Sequence, residues 1–390
     1  MTGSFIYDAV RSPFGRYGKG LAEVRPDDLA AHTLSSLLAR HAGLDPVLID
    51  EILLGAANQA GEDNRNVARM TALLAGLPTS VTGATVNRLC GSGMESVIQA
   101  SRAVESGDAS LVVAGGVESM SRAPWVLPKP ARGYPAGNET LHSTTLGWRL
   151  TNPRMPAQWT VGLGETAEML ADRFAISREE QDAFALRSHR LAAAAWDAGV
   201  FDDEVAAVPG TSVSRDEGVR AESTPEALAG LKPAFRPQGS VTAGNSSPLN
   251  DGASMLFVGG ERTALGIDPL ARIIGRGVAG NNPDEFGIAP VEAANRALAR
   301  AGKSWADVDV LEINEAFASQ ALACLRLWPE FDPEKANIHG GAIAIGHPLG
   351  ASGGRIIGHL AHELARRGGG VGVAAICIGV GQGLAVVLER

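Results

Sequence analysis

The chain has 390 residues, with 34 Lys+Arg against 43 Asp+Glu for a net charge of −9, and only 3 Cys. Such a length implies two or three structural units and a core too large to need disulfide or metal staples, and so few cysteines exclude a secreted disulfide scaffold and point to a reducing cytoplasm. The acidic balance argues against nucleic acid as the main partner, and no stretch reads as a signal peptide or a membrane span, because the most apolar one, Gly368 to Leu388, is broken by glycines and Gln382.

In chain order, Pro26 opens a first helix with Asp27 and Asp28 near its positive end; Leu29, Thr33, Leu34, Leu37, Leu38 and His41 follow at helical spacing, and Gly43 stops it. A strand is predicted at Asp50–Ala57 and a long helical stretch at Arg65–Ala75. TGATVNRLCGSGM then ends a strand and opens a helix, whose face carries Met94, Val97, Ile98, Ser101 and Val104 and which ends at Gly107. Ser110–Met120 reads as a fully buried strand. From Ser121 to about Leu249 the pattern breaks down. Pro, Gly and Trp crowd residues 121–160, too long for a connecting loop, and one strong helix follows, with Ser177 and Glu180 as its capping box and Gly199 at its end.

After Asn250 the alternation of strand and helix resumes: LARIIGRGV as strand, PVEAANRALARAG as helix, DVDVLEIN as strand and EAFASQALACLRLW as helix. A glycine-rich loop, a helix over Gly354–Arg367 and strands at Val371–Ile378 and Leu384–Leu388 complete the chain. Cys90–Gly116 and His347–Gly381 share one order of loop, helix, turn, buried strand and glycines. A weak internal duplication accounts for this economically. It predicts two similar αβ layers with parallel-dominated sheets, packed on each other, and sites at the strand ends.

The chemistry-bearing residues stand at those ends. Cys90 follows a strand and opens a helix, where unsatisfied N–H groups favour a thiolate; as a lone buried thiol it is equally a core residue. Cys377 ends a buried strand in CIGVGQG. Cys324, in ALACLRLW, falls on an apolar helix face and reads as core. The cysteines form no CxxC pair, so a zinc site is not expected. His347 is held between Gly346 and Pro348 ahead of a helix. Asn314 and Glu315, in NEAF, serve either as a helix cap or in a site. GVGQG (Gly379–Gly383) is not a dinucleotide loop, because a strand follows it. Two cysteines, a histidine and an asparagine, each beside glycines at a strand end or helix start, fit nucleophilic catalysis with a second acid/base thiol.

Five motifs in order resemble the signature set of the thiolase family: NRLCGSGMES around Cys90, Val241–Ala253, NEAF at Asn314–Phe317, Gly340–Gly353, and Cys377–Gly383. RSPFGRYGKG and VESMSRAP fit as well, so the likeness covers nearly the whole chain. It implies an α/β fold of five layers, αβαβα, from two similar halves. The halves would be 1–120 with 250–268, and 269–390, with a loop domain at 121–249 for CoA binding and tetramer contacts. It also implies a homotetramer of tight dimers and CoA-dependent Claisen condensation or its thiolytic reverse. CoA and acetyl-CoA would be substrates, with no metal, no permanently bound cofactor, no nucleic acid and no membrane.

By the same resemblance Cys90 is the nucleophile and Cys377 the acid/base at the α-carbon. His347 and a water held by Asn314 stabilise the enolate oxygen, and the N–H groups of Cys90 and Gly379 form the oxyanion hole. Ala243, Ser247 and Leu249 would line the CoA path, Arg220 would approach the acidic nucleotide end, and Phe235 and Phe317 would wall the tunnel. The final motif departs from the family in carrying Val380, which resists φ > 0, so the turn is expected to avoid that conformation. Where biosynthetic acetoacetyl-CoA thiolases carry a His before Met, this chain has Gly162 and Leu163. Ser143–Pro153 looks more like thiolases of longer or dicarboxylic 3-oxoacyl-CoA, such as β-ketoadipyl-CoA. The glycine excess, 48 in all, is expected beside Cys90, His347 and Cys377, where a thin pantetheine arm must pass.

Overall fold

The computed structural model describes residues 3–261, 263 and 265–390; the first two residues of the expected 1–120 unit and two of the 250–268 segment lie outside them. In the first half, strand β1 (Ser4–Arg11) and helices α1 (Pro26–Ala39) and α2 (Val67–Leu74) flank β2 (Glu51–Gly55). Then come β3 (Thr82–Val86), α3 (Ser92–Ser106) and β4 (Leu111–Ser119). Helices α4 (Leu163–Arg173) and α5 (Arg178–Asp197) belong to the long excursion before β5 (Asn250–Gly259). The second half holds β6 (Ala271–Gly280), α6 (Ala289–Ala301), β7 (Val310–Ile313), α7 (Ala318–Arg326), α8 (Leu349–Arg367), β8 (Val371–Ile378) and β9 (Gln382–Glu389).

The halves repeat each other in hydrogen bonding. β4 pairs parallel with β2 and antiparallel with β5, which pairs antiparallel with β1. In the same way β8 pairs parallel with β7 and antiparallel with β9, which pairs antiparallel with β6. The third parallel strand of the first half, β3, shrinks in the second to one bridge between Leu311 and Ala336. β1 and β6 join the halves edge to edge through Ser4–Ile6. The sheets are therefore mixed, not parallel-dominated as expected: in each half an antiparallel strand lies beside the parallel pair, joined by a tight hairpin in the second half and across the long excursion in the first.

Every central strand is buried on both faces, and its alternate residues serve two layers. Val112, Ala114, Leu256, Val258, Ala374 and Ile376 face a middle layer made of α3 and α8. Val113, Met255 and Phe257 face α1 and α2 on one outside. Val373, Ala375 and Val387 face α6 and α7 on the other, with Trp305 and Trp328 stacked beneath. Five layers result.

Three local expectations change. α2 starts at Val67, because Asn64 and Arg65 take left-handed φ of 50° and 64° and Asn66 caps the helix. α7 starts at Ala318, since Phe317 is extended. α8 starts at Leu349 rather than Gly354, running straight through GASGG. The glycines explain that run. A Cβ at Gly93 of α3 would lie 2.4 Å from the Gly350 carbonyl oxygen, one at Gly353 2.1 Å from the Met94 nitrogen, and one at Gly116 2.1 Å from the Gly350 oxygen. The first turns of the two central helices touch backbone to backbone. These glycines serve layer contact, not the passage of a substrate arm.

Buried ion pairs fix α8 in place. Arg355 pairs with Glu312 of β7 at 3.1 Å, and His359 Nδ1 lies 2.7 Å from Glu204 of the excursion. Arg11 of β1 clasps Asp216 through both carboxylate oxygens, at 2.7 and 2.9 Å. The excursion is thus locked to the helix that begins beside His347.

Candidate active site

β3 leads into Asn87–Leu89, and Leu89 adopts a left-handed φ of 46°. The turn is braced locally. Asn87 Oδ1 accepts the Leu89 N–H at 2.9 Å, while Ser92 Oγ accepts the Arg88 N–H at 2.9 Å and donates to the Leu89 carbonyl at 2.6 Å. Cys90 therefore sits in a single 3₁₀ turn, Leu89–Gly91, just ahead of α3. A strained residue held by its surroundings before a nucleophile is a recurrent feature of reaction centres.

Cys90 is 7 % exposed. Burial pushes its thiol up to about 11, opposed by the Gly379 N–H that donates to its sulfur and reinforced by the charge of Glu118. This corrects the expectation of a dipole-stabilised thiolate. Desolvation outweighs the N–H groups that address the sulfur, and the resting group is a thiol.

His347 supplies a neutral imidazole, because burial and then the Arg355 charge lower its pKa to about 3. Its tautomer follows from hydrogen bonding. Ser352 Oγ lies 2.6 Å from Nδ1 and 3.0 Å from the Pro348 carbonyl, which can only accept. With the serine proton donated to the Pro348 carbonyl, Nδ1 is assigned the imidazole hydrogen and donates to Ser352. Nε2 is left as the basic lone pair, 3.4 Å from Asn314 Nδ2. The backbone is held as well: the His347 N–H donates to Asn250 Oδ1 at 2.9 Å, and Asn250 Nδ2 donates to the Gly15 carbonyl at 2.9 Å.

Asn314 is fully buried at the end of β7, its N–H bonded to the Ala375 carbonyl at 2.9 Å. Its Oδ1 is a buried acceptor with no protein partner among the described residues. Such an atom is the kind that ordered water satisfies. Glu315 does other work. It accepts from Ser188 Oγ at 2.7 Å, Asn337 Nδ2 at 2.7 Å and the Ile343 N–H at 3.1 Å, bracing the loop before His347.

Cys377 is 1 % exposed, one residue before the end of β8. Burial raises its thiol well above the usual range, with smaller contributions from Cys90 and Cys324. It packs with Phe286 and Ala316, against which Leu163 and Phe317 close. Cys324 is fully buried on α7, its Sγ 3.2 Å from the Gly287 carbonyl, as expected of a core residue. Val380, in the hairpin after Gly379, corrects the sequence expectation outright: it takes φ +70° with its side chain 39 % exposed.

The residues expected along the CoA path form a second group. Ser247 donates from both N–H and Oγ to the Ala316 carbonyl, at 3.0 and 3.1 Å. Phe235 stacks edge-on against Phe317 at 6.1 Å. Leu163, the first residue of α4, reaches toward Gly379. Leu249 accepts a hydrogen bond from the Tyr17 N–H at 3.0 Å, and Ala243 is exposed. Arg220 stands apart on the surface, its N–H donating to His189 Nδ1 at 3.2 Å. Sequence reasoning missed Ser352, Asn250 and Glu118. All three lie inside motifs already singled out, but only their partners in space show what they hold.

Two buried thiols whose charges act on each other, an oriented imidazole beside a buried asparagine and a duplicated five-layer fold suit an acyl-transferring condensing enzyme. Comparison with known proteins names the family. Residues 4–262 match the model of the thiolase N-terminal domain and residues 267–390 that of the thiolase C-terminal domain. The chain is 50 % identical over 401 residues to the 3-oxoadipyl-CoA/3-oxo-5,6-dehydrosuberyl-CoA thiolase of Escherichia coli, covering all of both proteins. It is 50 % identical over 396 residues to the beta-ketoadipyl-CoA thiolase of Pseudomonas putida, covering 99 % of each. The crystal structure of human mitochondrial 3-ketoacyl-CoA thiolase in complex with CoA matches all of this chain and 98 % of that one, at TM-score 0.93 and 40 % identity. The Bacillus anthracis acetyl-CoA acetyltransferase matches at TM-score 0.92 and 42 % identity, covering 99 % of that chain. The chain belongs to the thiolase family and is a thiolase, an acyltransferase acting on CoA thioesters. No helix among the described residues is long and apolar enough to cross a membrane.

Proposed function

We propose that this thiolase works in the degradative direction on a 3-oxo dicarboxylic acyl-CoA of the 3-oxoadipyl type. The observation that carries this is the end-to-end 50 % identity to thiolases named for that substrate, against 42 % and 40 % for the acetyl-CoA acetyltransferase and the 3-ketoacyl-CoA thiolase. Leu163 beside Cys377, where acetoacetyl-CoA thiolases carry a His nearby, supports it and disfavours a biosynthetic acetoacetyl-CoA role.

In the reaction we assign, the Cys90 sulfur attacks the C3 carbonyl while its proton moves to Nε2 of His347. The N–H groups of Cys90 and Gly379 receive the developing oxyanion. The C2–C3 bond breaks, and the electron pair goes to the acetyl-CoA enolate. Its oxygen is met by the now protonated His347 and a water on Asn314. Cys377 gives C2 its proton, and acetyl-CoA leaves. The CoA thiol then attacks the acyl-Cys90 thioester, its proton going to the Cys377 thiolate; the Cys90 thiolate leaves and regains its proton from His347. Ser247, Ala243, Leu249, Phe235 and Phe317 guide the pantetheine arm, and Arg220 meets the nucleotide end. We further assign residues 121–249 to CoA binding and to assembly of a tetramer from dimers, in a reducing cytoplasm that leaves all three thiols free.

Steady-state thiolysis across 3-oxoadipyl-CoA, acetoacetyl-CoA and a medium-chain 3-oxoacyl-CoA tests the substrate. We expect kcat/KM for 3-oxoadipyl-CoA to lead by about tenfold or more, worth roughly 1.4 kcal/mol of transition-state binding. An equal or higher value for acetoacetyl-CoA overturns the assignment.

A further inference from the structure

Glu118 is buried at the C-terminal end of β4, 4 % exposed, and no basic side chain pairs with it among the described residues. Its partners are three backbone N–H groups from two separate elements. Oε2 accepts from Ala57 at 2.9 Å and from Gly350 at 2.9 Å, and Oε1 accepts from Asn58 at 3.0 Å. Gly350 is the second residue of α8, three past His347. Pro348, at that helix's N-cap, makes no side-chain cap bond, so the carboxylate from another strand takes the role. Ala57 and Asn58 follow Gly55, where a Cβ would lie 2.3 Å from the Ser92 carbonyl carbon and the Gly93 nitrogen, the turn just after Cys90. One carboxylate therefore stands where the first turns of the Cys90 helix and the His347 helix meet.

We propose that Glu118 is a positioning residue of the thiolase reaction: its carboxylate clamps the start of α8, and with it the His347 turn, to the Ala57–Asn58 loop that packs against the turn after Cys90. An amide could not replace it, because three inward-pointing N–H groups need acceptors and a glutamine would turn an N–H₂ toward one of them. The charge opposes thiolate formation at Cys90. Burial is the larger cause that holds the thiol protonated, and this charge adds to it, until His347 takes the proton during attack. Other titratable groups around the pair are Cys377, itself protonated, neutral His347, and Asp63, whose charge acts on Glu118.

The inference rests on Cys90 as nucleophile, and the test separates the two. Cys90 alkylation by iodoacetamide, followed by peptide mass from pH 7 to 11, needs no acyl-CoA; kcat and KM for thiolysis are measured alongside. For Glu118→Gln we expect kcat to drop about tenfold or more with KM for CoA little changed, and the alkylation midpoint to move downward. Glu118→Asp keeps the charge but cannot reach all three N–H groups, so kcat should fall while the midpoint stays. A kcat for Glu118→Gln within twofold of wild type, or a loss matched by a proportional rise in KM for CoA, overturns the proposal. Should the variants not fold, amide exchange of the wild-type enzyme decides. Protection at Ala57, Asn58 and Gly350 should weaken as pH falls from 8 to 6 and the carboxylate is neutralised; pH-independent protection overturns the clamp. Failure of Cys90 to carry an acetyl group from acetyl-CoA would instead sink the nucleophile assignment alone.

Discussion

Gly379→Ala separates a reaction centre from a mere turn. A Cβ at Gly379 would meet only Leu163 Cδ2 and Leu89 Cδ1, each at 3.7 Å, an ordinary contact, and its backbone is not in the left-handed region. The fold should accept alanine and gain about 0.4–1 kcal/mol from the less flexible unfolded chain. The same methyl would stand one atom from the N–H that addresses the Cys90 sulfur, where, under the proposed mechanism, the acyl group must come. Crowding there by one methyl costs about 1–3 kcal/mol, or roughly 5- to 150-fold in rate. Gly381→Ala is the control. Gly381 has φ +76° and its Cβ would come 2.3 Å from the Asn281 carbonyl oxygen, so that variant should lose stability first. Thermal unfolding gives one axis, and thiolysis with mass detection of acetyl-Cys90 gives the other. Gly379→Ala enzyme with activity within twofold of wild type, or with stability lost in proportion to activity, refutes the reasoning.

Val380→Gly should stabilise the enzyme. A β-branched residue at φ +70° carries about 1–2 kcal/mol of strain, its half-exposed side chain recovers little by packing, and glycine's unfolded-state entropy offsets only part; a lower urea midpoint in the variant would refute this. Acid should weaken the fold through His347. Its folded pKa, about 3, lies below the unfolded value, so its contribution is intact above about pH 6.5 and is lost as pH falls toward 3. That amounts to about 2 kcal/mol at pH 5. The drop in urea midpoint from pH 7.5 to 5 should therefore be smaller in His347→Gln than in wild type, and equal drops would refute it.

What the sequence made legible was periodic or punctuated. Ser177 and Glu180 form their capping box, Gly107 and Gly302 end their helices with left-handed φ, and the buried run of β4 was visible as unbroken apolarity. What stayed hidden depends on partners distant in the chain. Sheet direction is one case, since β5 and β9 insert antiparallel strands that no local pattern announces. The proton affinity of Cys90 is another. A helix start argues for a thiolate, yet the outcome is set by enclosure and by Glu118, which a linear reading cannot weigh.

The glycines show best how a correct observation can carry the wrong cause. Their clustering beside Cys90 and His347 invited the view that a narrow substrate arm needs them. Gly93 and Gly116 instead meet the Gly350 backbone, and Gly353 meets that of Met94, across the middle layer, whereas a Cβ at Gly379 would meet only two side-chain ends at 3.7 Å. Yet the two explanations connect. Because the first turns of α3 and α8 can approach to backbone contact, the residues just before them, Cys90 and His347, are brought to one place from opposite halves of the duplicated chain. Side chains at those glycines would push the layers apart and separate Cys90 from His347, the nucleophile and base proposed above, without altering either. The glycines therefore act on catalysis through distance, and the same vertex is where Glu118 gathers its three N–H groups.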